Sequence, residues 1–287
     1  MKARKTLAMA AALTIAVLTM TACTSQDRPA QPPTVATNFA AGTTMAKLQG
    51  EGAMTIGTRF DQPLFSAMGK DKVPAGFDVE IATLIASKLG IPKNKITWVE
   101  STSATRNALV TDGKADLIVA GDPIDDTSKE KVAFAGPYFY SGQDLLVAAG
   151  NPEGIHGPED LRKKSVCSTA KSTAARVIAR YGVTAVSASS TVGCLDALTS
   201  GKAIAVTGDL VTLAGIAAAD KKKFEVLGNP FTSAPRGIVL AVDDDEFRSF
   251  VNDVLAEAFA DGTWEKLWAA TAGSVLGASH PPILDRY

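Results

Sequence analysis

The clearest pattern of apolar and polar positions lies in the first third of the chain. Ile81, Ile85 and Leu89 recur every four residues, which predicts a helix with one apolar face. Asp78 lies at the start of this pattern, where its carboxylate can cap the free N–H groups of the first turn. Gly90 follows the last apolar position and predicts the end of the helix.

Short apolar runs at residues 54–58 and 96–100 flank this helix and predict two strands. A strand, a helix and a second strand form a parallel unit, and the carboxyl ends of such strands commonly hold a small ligand. The same pattern continues along the chain and predicts an α/β fold. Further strands are predicted at residues 116–120, 164–168, 183–187, 203–206 and 239–242, and further helices at 191–200 and 210–219.

Residues 1–22 have the pattern of a signal peptide. A basic start is followed by an uncharged apolar run that is too short to favour a membrane-spanning helix. Small residues then precede Cys23, which resembles a lipobox, where the cysteine is acylated and becomes the mature N-terminus. The alternative is an ordinary signal peptide cut near Ala22. Acylation of Cys23 would anchor an extracytoplasmic protein to the outer face of the cell membrane.

Residues 23–47 comprise the predicted lipidated cysteine and a flexible tether rich in Thr, Ala, Pro, Ser and Gln. The whole chain has a net charge of −1, and removal of the three positive charges in residues 1–22 lowers it to −4. No basic stripe is present, and Lys221–Lys223 is interpreted as a solvated turn. We therefore expect no nucleic-acid partner.

The roughly 235 residues after the tether are long for one simple domain and suit two small ones. Cys167 and Cys194 remain as an even pair outside the cytoplasm, which predicts a disulfide, with two buried free thiols as the alternative. His156 and His280 are far apart in the sequence, and no Cys-x-x-Cys occurs. We expect no metal and no cofactor.

Four separate segments resemble motifs of the family 3 extracellular solute-binding proteins, which feed polar amino acids to ABC transporters. They are residues 76–82 (GFDVEIA), 113–117 (GKADL), 134–138 (FAGPY) and 141–143 (SGQ). The resemblance extends over about residues 48–271. Arg-Phe-Asp-Gln-Pro after the first strand is closest to the actinobacterial glutamine- and glutamate-binding lipoproteins.

The resemblance implies an α/β fold of the periplasmic binding protein-like type II, with two lobes joined by two crossover strands and a ligand cleft between them. Lobe 1 would comprise residues 48–146 and 239–271, and lobe 2 residues 147–238. Residues 272–287 would form a loose C-terminal tail. Ligand binding would close the lobes, and the closed protein, expected to be a monomer, would engage an ABC permease in the membrane.

The resemblance also implies a ligand site on lobe 1. Arg59, Phe60 and Asp61 would line the mouth, with Phe60 packing on the aliphatic part of the ligand or forming part of the core. Near the strand ends, the candidates are Ser103 (also a plausible helix N-cap), Arg106, Gly121 and Asp122.

The carboxylate site of the family departs from its usual pattern in this chain. The family has Thr-x-Thr-x-x-Arg, whose arginine grips the ligand α-carboxylate, but here Pro123 and Ser128 occupy a threonine and the arginine position. Proline has no N–H to donate, and serine has no guanidinium fork. Candidates for the missing cation are Lys129, Arg106, Arg59 and Lys171. Because Asp122, Asp125 and Asp126 add negative charge, we expect a neutral or cationic ligand rather than glutamate.

On lobe 2, the resemblance points to a helix start and a strand end. Lys171, Ser172 and Thr173 replace the family's Gly-Ser-Thr-Ser, whose hydroxyls and N–H groups receive an anionic group, although these side chains can also be simple helix caps. Thr207 and Asp209 resemble its Val-Thr-Thr-Asp, whose aspartate pairs with the ligand α-ammonium. Asp209 can also cap the next helix.

These features favour a binding protein for amino-acid import. A lipoprotein that reports its ligand to a membrane sensor is an alternative that the sequence does not separate from it. A periplasmic dehydratase on the same fold is the third hypothesis, but an enzyme needs a poised acid or base, and no histidine is expected in the cleft.

Overall fold

A computed structural model describes residues 38–102, 105–170 and 172–286. Within these ranges the chain forms two five-stranded sheets and one three-stranded sheet. The strands are β1 (Met54–Thr58), β2 (Asp61–Gln62), β3 (Ser66–Met68), β4 (Pro74–Ala75), β5 (Ile96–Glu100), β6 (Leu117–Pro123), β7 (Ala133–Ser141), β8 (Gln143–Ala148), β9 (Ser165–Thr169), β10 (Thr184–Ala188), β11 (Ala205–Asp209), β12 (Phe224–Val226) and β13 (Ala234–Leu240).

The helices surround these sheets, and none within the described ranges is long and apolar enough to cross a membrane. They are α1 (Thr44–Glu51), α2 (Phe77–Lys88), α3 (Arg106–Thr111), α4 (Asp126–Lys129), α5 (Thr173–Ile178), α6 (Thr191–Thr199), α7 (Leu210–Ala219), α8 (Asp245–Ala260), α9 (Thr263–Ala270) and α10 (Gly273–Leu276). Short 3₁₀ turns span Lys93–Lys95, Pro158–Leu161 and Ala179–Tyr181.

The first sheet has the strand order β5-β1-β6-β13-β7, in which β1 runs parallel to β5 and β6, and β13 runs antiparallel to β6 and β7. The predicted apolar face of α2 is confirmed, because Ile81, Ile85 and Leu89 are buried in the core beneath this sheet. Trp264 and Trp268 of α9 stack in the same core, 5.3 Å between ring centroids. We refer to this sheet with its helices as lobe 1.

The predicted capping role of Asp78 is wrong. Gly76 is the N-cap residue of α2, and no side chain caps the first turn. Asp78 is instead fully buried beneath the sheet, where its Oδ1 accepts a hydrogen bond from the Tyr138 hydroxyl at 2.7 Å. A polar residue at the start of an apolar pattern is compatible with a helix cap. In the folded chain, however, Asp78 is the acceptor for the buried Tyr138 hydroxyl.

The second sheet has the order β10-β9-β11-β8-β12, and with its helices it forms lobe 2. Strands β9, β10 and β11 run parallel, and β8 joins antiparallel to β11 and β12. The predicted disulfide is present and links Cys167 of β9 to Cys194 of α6. Both cysteines lie in the apolar core between the sheet and its helices.

The chain passes between the two sheets at Gly142 and again in the segment between Val226 and Ala234. These two crossings touch each other. A Cβ atom at position 142 would lie 1.8 Å from the carbonyl oxygen of Thr232, so glycine is required there. The Thr232 hydroxyl also accepts a hydrogen bond from the N–H of Gln143 at 2.8 Å. Both crossings are therefore held together at one place.

The predicted lobe boundaries at residues 146/147 and 238/239 fall inside strands of the structure. Strand β8 already pairs with β11 from Gln143 onwards, where Gln143 lies opposite Asp209. Strand β13 already pairs with β7 from Ala234 onwards, where Ala234 lies opposite Ser141. The two sheets therefore separate at Gly142 and between Val226 and Ala234, a few residues before the boundaries that the resemblance implied.

Residues 272–286, expected as a loose tail, pack against the folded chain. The Trp268 indole N–H donates to the carbonyl oxygen of Gly277 at 2.9 Å. Further along, the N–H of Asp285 donates to the carbonyl oxygen of Gly136 at 2.9 Å. Leu276 contacts apolar side chains of both lobes. Hydrogen bonds and apolar contacts, among them those of Leu276 and Leu284, thus fix a segment whose composition shows no period.

Loss of the disulfide should destabilise the protein. The two cysteines are 27 positions apart, and closing a loop of that size stabilises a fold by roughly 3–4 kcal/mol in the chain-entropy model. We expect Cys167→Ser/Cys194→Ser to lower the free energy of unfolding by about that amount, measured by urea denaturation. A reductant should lower the stability of the wild type and leave the double variant unchanged. Equal stability of the oxidised wild type and the variant would contradict this.

Candidate functional site

Asp209 ends β11 on lobe 2 and begins α7. Its Oδ1 accepts the N–H of Val211 at 3.0 Å, which confirms its predicted role as the N-cap of this helix. Its Oδ2 is directed to lobe 1, where the Ser141 hydroxyl donates to it at 3.2 Å. The side chain is 39% exposed. One carboxylate oxygen thus fixes the helix, while the other lies at the junction of the lobes.

Arg236 of β13 is the lobe 1 partner of this carboxylate. Its Nη2 lies 2.5 Å from Asp209 Oδ2, and its Nη1 donates to the carbonyl oxygen of Gly121 at 3.1 Å. The side chain is only 13% exposed. Sequence reasoning missed Arg236 as a site residue. The available signal was that Pro235-Arg236-Gly237-Ile238 carries arginine where the family's Pro-Tyr-Gly-Ile segment has tyrosine.

Arg106 of α3 forms a second ion pair, within lobe 1. Its Nη1 lies 2.6 Å from Asp122 Oδ1, and its Nη2 donates to the Ser128 hydroxyl oxygen at 3.2 Å. A guanidinium therefore lies beside the position at which the family pattern has its arginine. Asp125 caps α4 and accepts from both the N–H and the hydroxyl of Ser128. The aspartates expected to repel a carboxylate are thus largely engaged within the chain.

Arg59 and Asp61 form a third pair in the loop after β1. Arg59 donates from Nε and Nη2 to both oxygens of Asp61, at 2.9 and 2.8 Å. This forked contact lowers the pKa of Asp61 and raises that of Arg59. The Phe60 between them is partly buried. Its contact with a ligand stays a prediction.

Asp122 is the carboxylate at the centre of these arginines. Burial raises its pKa, although the hydrogen bond from Arg106 and the charges of Arg106, Arg236 and Arg59 act in the opposite direction. Its second oxygen has no hydrogen-bond partner among the described residues. The charge of Asp122 is therefore balanced by the three arginines Arg106, Arg236 and Arg59.

The predicted lobe 2 residues at the start of α5 and the end of β11 serve local structure. Ser172 Oγ caps α5 by accepting the N–H of Ala175 at 3.0 Å, and Thr173 Oγ1 accepts from Arg176 at 2.9 Å. Thr207 Oγ1 accepts from the Gln143 side chain at 2.8 Å and donates to the carbonyl oxygen of Asp144 at 3.0 Å. Whether these groups also meet a ligand stays a prediction.

Two predicted site residues, Ser103 and Lys171, lie outside the described residues. The helix expected to begin at Ser103 begins at Arg106, after the N-cap residue Thr105. Among the described residues, no group of three or more His, Cys, Asp or Glu side chains is arranged to hold a metal ion.

Two cavities border Asp209. One, of about 180 Å³, lies within lobe 2 and is lined by Thr169, Ser172, Thr207 and Asp209 among others. The other, of about 340 Å³, lies between the lobes, with Asp209 and Arg236 in its wall. Its volume is at the lower end of the range for small-ligand pockets, roughly 300–1,000 Å³.

Gly121 connects the site to the core. It has φ +65°, which favours glycine, and its carbonyl oxygen accepts from Arg236. Its N–H donates to the Tyr138 hydroxyl at 2.9 Å, and that hydroxyl donates to the buried carboxylate of Asp78. A continuous chain of hydrogen bonds thus runs from the core to the ion pair at the junction of the lobes.

Comparison with known proteins shows the family to which the chain belongs. Residues 54–270 match the family model described as bacterial extracellular solute-binding proteins, family 3. The chain belongs to this family. The expected family and the type II binding-protein fold are therefore confirmed. Among individual relatives, the glutamate-binding protein GluB of Corynebacterium glutamicum is 32% identical over 77% of this chain and 79% of its own.

Other similar proteins differ in the solute given in their names. The glutamine-binding protein of Geobacillus stearothermophilus is 33% identical over 81% of this chain and 90% of its own. A solved structure of an ancestral cationic amino acid solute-binding protein, AncCDT-1, is 27% identical, with a TM-score of 0.68 over 80% of this chain and 99% of its own. Another AncCDT-1 structure is described as that of a precursor of cyclohexadienyl dehydratase.

The buried carboxyl group of Asp78 should make stability depend on pH. Burial raises its pKa from 3.8 to about 7. The folded protein then binds more protons than the unfolded chain between about pH 4 and 7, so the free energy of unfolding falls as the pH rises through that window. We expect the free energy of unfolding of the wild type to fall by a few kcal/mol between pH 5 and 8, measured by urea denaturation. Asp78→Asn keeps an acceptor for Tyr138 and should remove this fall.

Asp144 is the matched comparison, because burial raises its pKa to about 6. Asp144→Asn should reduce the fall in the free energy of unfolding below about pH 6. It should leave the fall between pH 6 and 7.5 in place. Parallel stability profiles for the wild type and Asp78→Asn across pH 5 to 8 would contradict the assignment.

Proposed function

We propose that this family 3 protein captures a polar α-amino acid between its lobes and delivers it to an ABC permease. The observation that carries the proposal is Asp209, a carboxylate at the end of a lobe 2 strand that reaches lobe 1 and borders two cavities. An ammonium group removed from water needs a charged partner, and this carboxylate can supply it. The names of GluB and the glutamine-binding relative support an amino acid as the ligand.

We further propose a ligand of zero net charge, such as L-glutamine. Among the described residues, three arginines of this region each pair with one aspartate: Arg59 with Asp61, Arg106 with Asp122, and Arg236 with Asp209. A zwitterion of zero net charge leaves this balance intact, whereas an extra ligand charge needs an additional partner. Lobe closure around the ligand would then present the liganded form to the permease.

We propose that the site binds its ligand and does not catalyse a reaction on it. The buried carboxyl group of Asp78 has a pKa near neutrality, but it is fully enclosed and bonded to Tyr138, so a ligand cannot touch it. The carboxylates that do reach the site, Asp122 and Asp209, are held in ion pairs. The arrangement favours holding a ligand over transferring its protons.

The anchor at Cys23 is part of the same proposal. An acylated cysteine followed by a polar tether would hold a monomeric binding protein close to its permease at the outer face of the membrane. The lipobox-like sequence before Cys23 and the extracellular character of the family support this arrangement.

Ligand binding can be tested by calorimetry of the purified protein against the twenty amino acids. We expect a neutral polar amino acid to bind most tightly, and Asp209→Asn to abolish measurable binding, because asparagine keeps the helix cap but removes the charge. Asp244→Asn is the matched control, since the Asp244 side chain likewise accepts an N–H group at the start of a helix, α8. Binding of no amino acid by the wild type, or unchanged affinity in Asp209→Asn, would contradict the proposal.

The lipid anchor can be tested by fractionation of cells that produce the full chain. We expect the wild type in the membrane fraction and Cys23→Ala in the soluble or secreted fraction, because the acyl chains supply the attachment. Ser25→Ala, two residues further along, should behave as the wild type. Mass spectrometry should find the mature N-terminus at an acylated Cys23. A membrane-bound Cys23→Ala protein, or an unmodified N-terminus elsewhere, would refute the anchor.

A further inference from the structure

We propose that Arg236 is the residue that receives the ligand carboxylate, and that an α-amino acid binds by inserting into the Arg236–Asp209 ion pair. The ammonium group replaces Arg236 on Asp209, and the carboxylate replaces Asp209 on Arg236. This inference rests on the proposed amino-acid binding and names the residue that determines its specificity.

The three ion pairs differ in whether they lie within one lobe or join the two lobes. Arg106 pairs with Asp122, and Arg59 pairs with Asp61, so both of these pairs lie within lobe 1. Arg236 lies on a lobe 1 strand, but Asp209 belongs to lobe 2. Separation of the lobes would therefore leave the first two pairs intact and would release Arg236 from its carboxylate. Of these three arginines, Arg236 is the one that opening makes available.

The hydrogen-bonding groups of Arg236 are only partly used by the ion pair. Its Nη1 is held by the carbonyl oxygen of Gly121 on lobe 1, which would keep the guanidinium in place when Nη2 leaves Asp209. Its buried Nε has no partner among the described residues. Nε and Nη2 form one edge of the guanidinium, and Arg59 uses this same edge to hold both oxygens of Asp61. Arg236 can hold a ligand carboxylate in the same forked manner.

The opposite charges of Arg236 and Asp209 determine the class of ligand that fits between them. Arg236 and Asp209 both border the 340 Å³ cavity, and the Arg236 side chain is largely buried. A closed cleft that holds an amine without a carboxylate would leave Arg236 unpaired, and an acid without an amine would leave Asp209 unpaired. Leaving the largely buried Arg236 guanidinium without a carboxylate is costly, whereas Asp209, which is 39% exposed, loses less. A zwitterion converts one ion pair into two, so the class of ligand follows from the pair itself.

The test compares three ligands with three variants by calorimetry. The ligands are the tightest-binding amino acid, its decarboxylated amine and its deaminated acid; for L-glutamine these are 4-aminobutanamide and glutaramic acid. The variants are Arg236→Gln, Arg236→Lys and the control Arg286→Gln, which removes an arginine paired with Asp253 on the protein surface. Thermal melts of each variant show whether it is folded.

We expect the wild type to bind the amine and the acid at least about tenfold more weakly than the amino acid. Arg236→Gln should weaken binding of the amino acid at least about tenfold and strengthen that of the amine, because Asp209 loses its internal competitor. Arg236→Lys should retain part of the affinity, since lysine keeps the charge but not the fork. Arg286→Gln should match the wild type.

Amino-acid binding by Arg236→Gln within about twofold of the wild type would overturn the inference while leaving the proposed function in place. An equal loss of affinity for the amino acid and the amine in Arg236→Gln would also overturn the inference, because that result indicates a structural role for Arg236. If Arg236→Gln does not fold, equal wild-type affinity for the amine and the amino acid overturns it instead. A wild type that binds no amino acid contradicts the proposed function, and the inference with it.

Discussion

The ion pair between Arg236 and Asp209 is the interaction on which the rest of this site depends. It joins the two lobes at 2.5 Å, and each partner has a second task in its own lobe. Asp209 caps α7, and Arg236 is bonded to the backbone of Gly121. Because the Arg236 side chain is largely buried, separation of the lobes in this region would leave its guanidinium to be paired by solvent or by a ligand.

The core of lobe 1 supports this interaction from behind. Asp78, Tyr138 and Gly121 form a chain of hydrogen bonds that ends at Arg236. Burying a carboxyl group in this way raises its pKa to about 7, so the free energy of unfolding falls as the pH rises towards that value. The two crossings that meet at Gly142 lie beside this ion pair, since Gly142 and Thr232 border the same cavity as Asp209 and Arg236. A fixed crossing and a breakable ion pair are the combination that a hinged binding protein requires.

Much of the fold was predictable because it rests on local patterns. The spacing of Ile81, Ile85 and Leu89 decided α2, and the two strands around it were placed at their observed bounds. The sheet boundaries near Gly142 were not predictable, because strand pairing is set by partners distant in the sequence. Asp78 was assigned to a cap for a similar reason: its partner, Tyr138, lies 60 positions away.

The candidate site was predictable in its positions and less so in its pairings. Asp122 and Asp209 lie near the ends of β6 and β11, and Arg106 begins α3, but no periodicity indicates which arginine meets which carboxylate. Contact of these residues with a ligand stays a prediction. Arg236 was overlooked because its partner Asp209 lies 27 positions away in the sequence and in the other lobe. The charge balance of the site is therefore a property of the folded chain.

A structure of the protein with its tightest-binding amino acid would test the central claim most directly. The account predicts closed lobes, with the ligand ammonium within about 3 Å of the Asp209 carboxylate and the ligand carboxylate at a similar distance from the Arg236 guanidinium. A bound ligand that leaves the contact between Arg236 and Asp209 intact would contradict it.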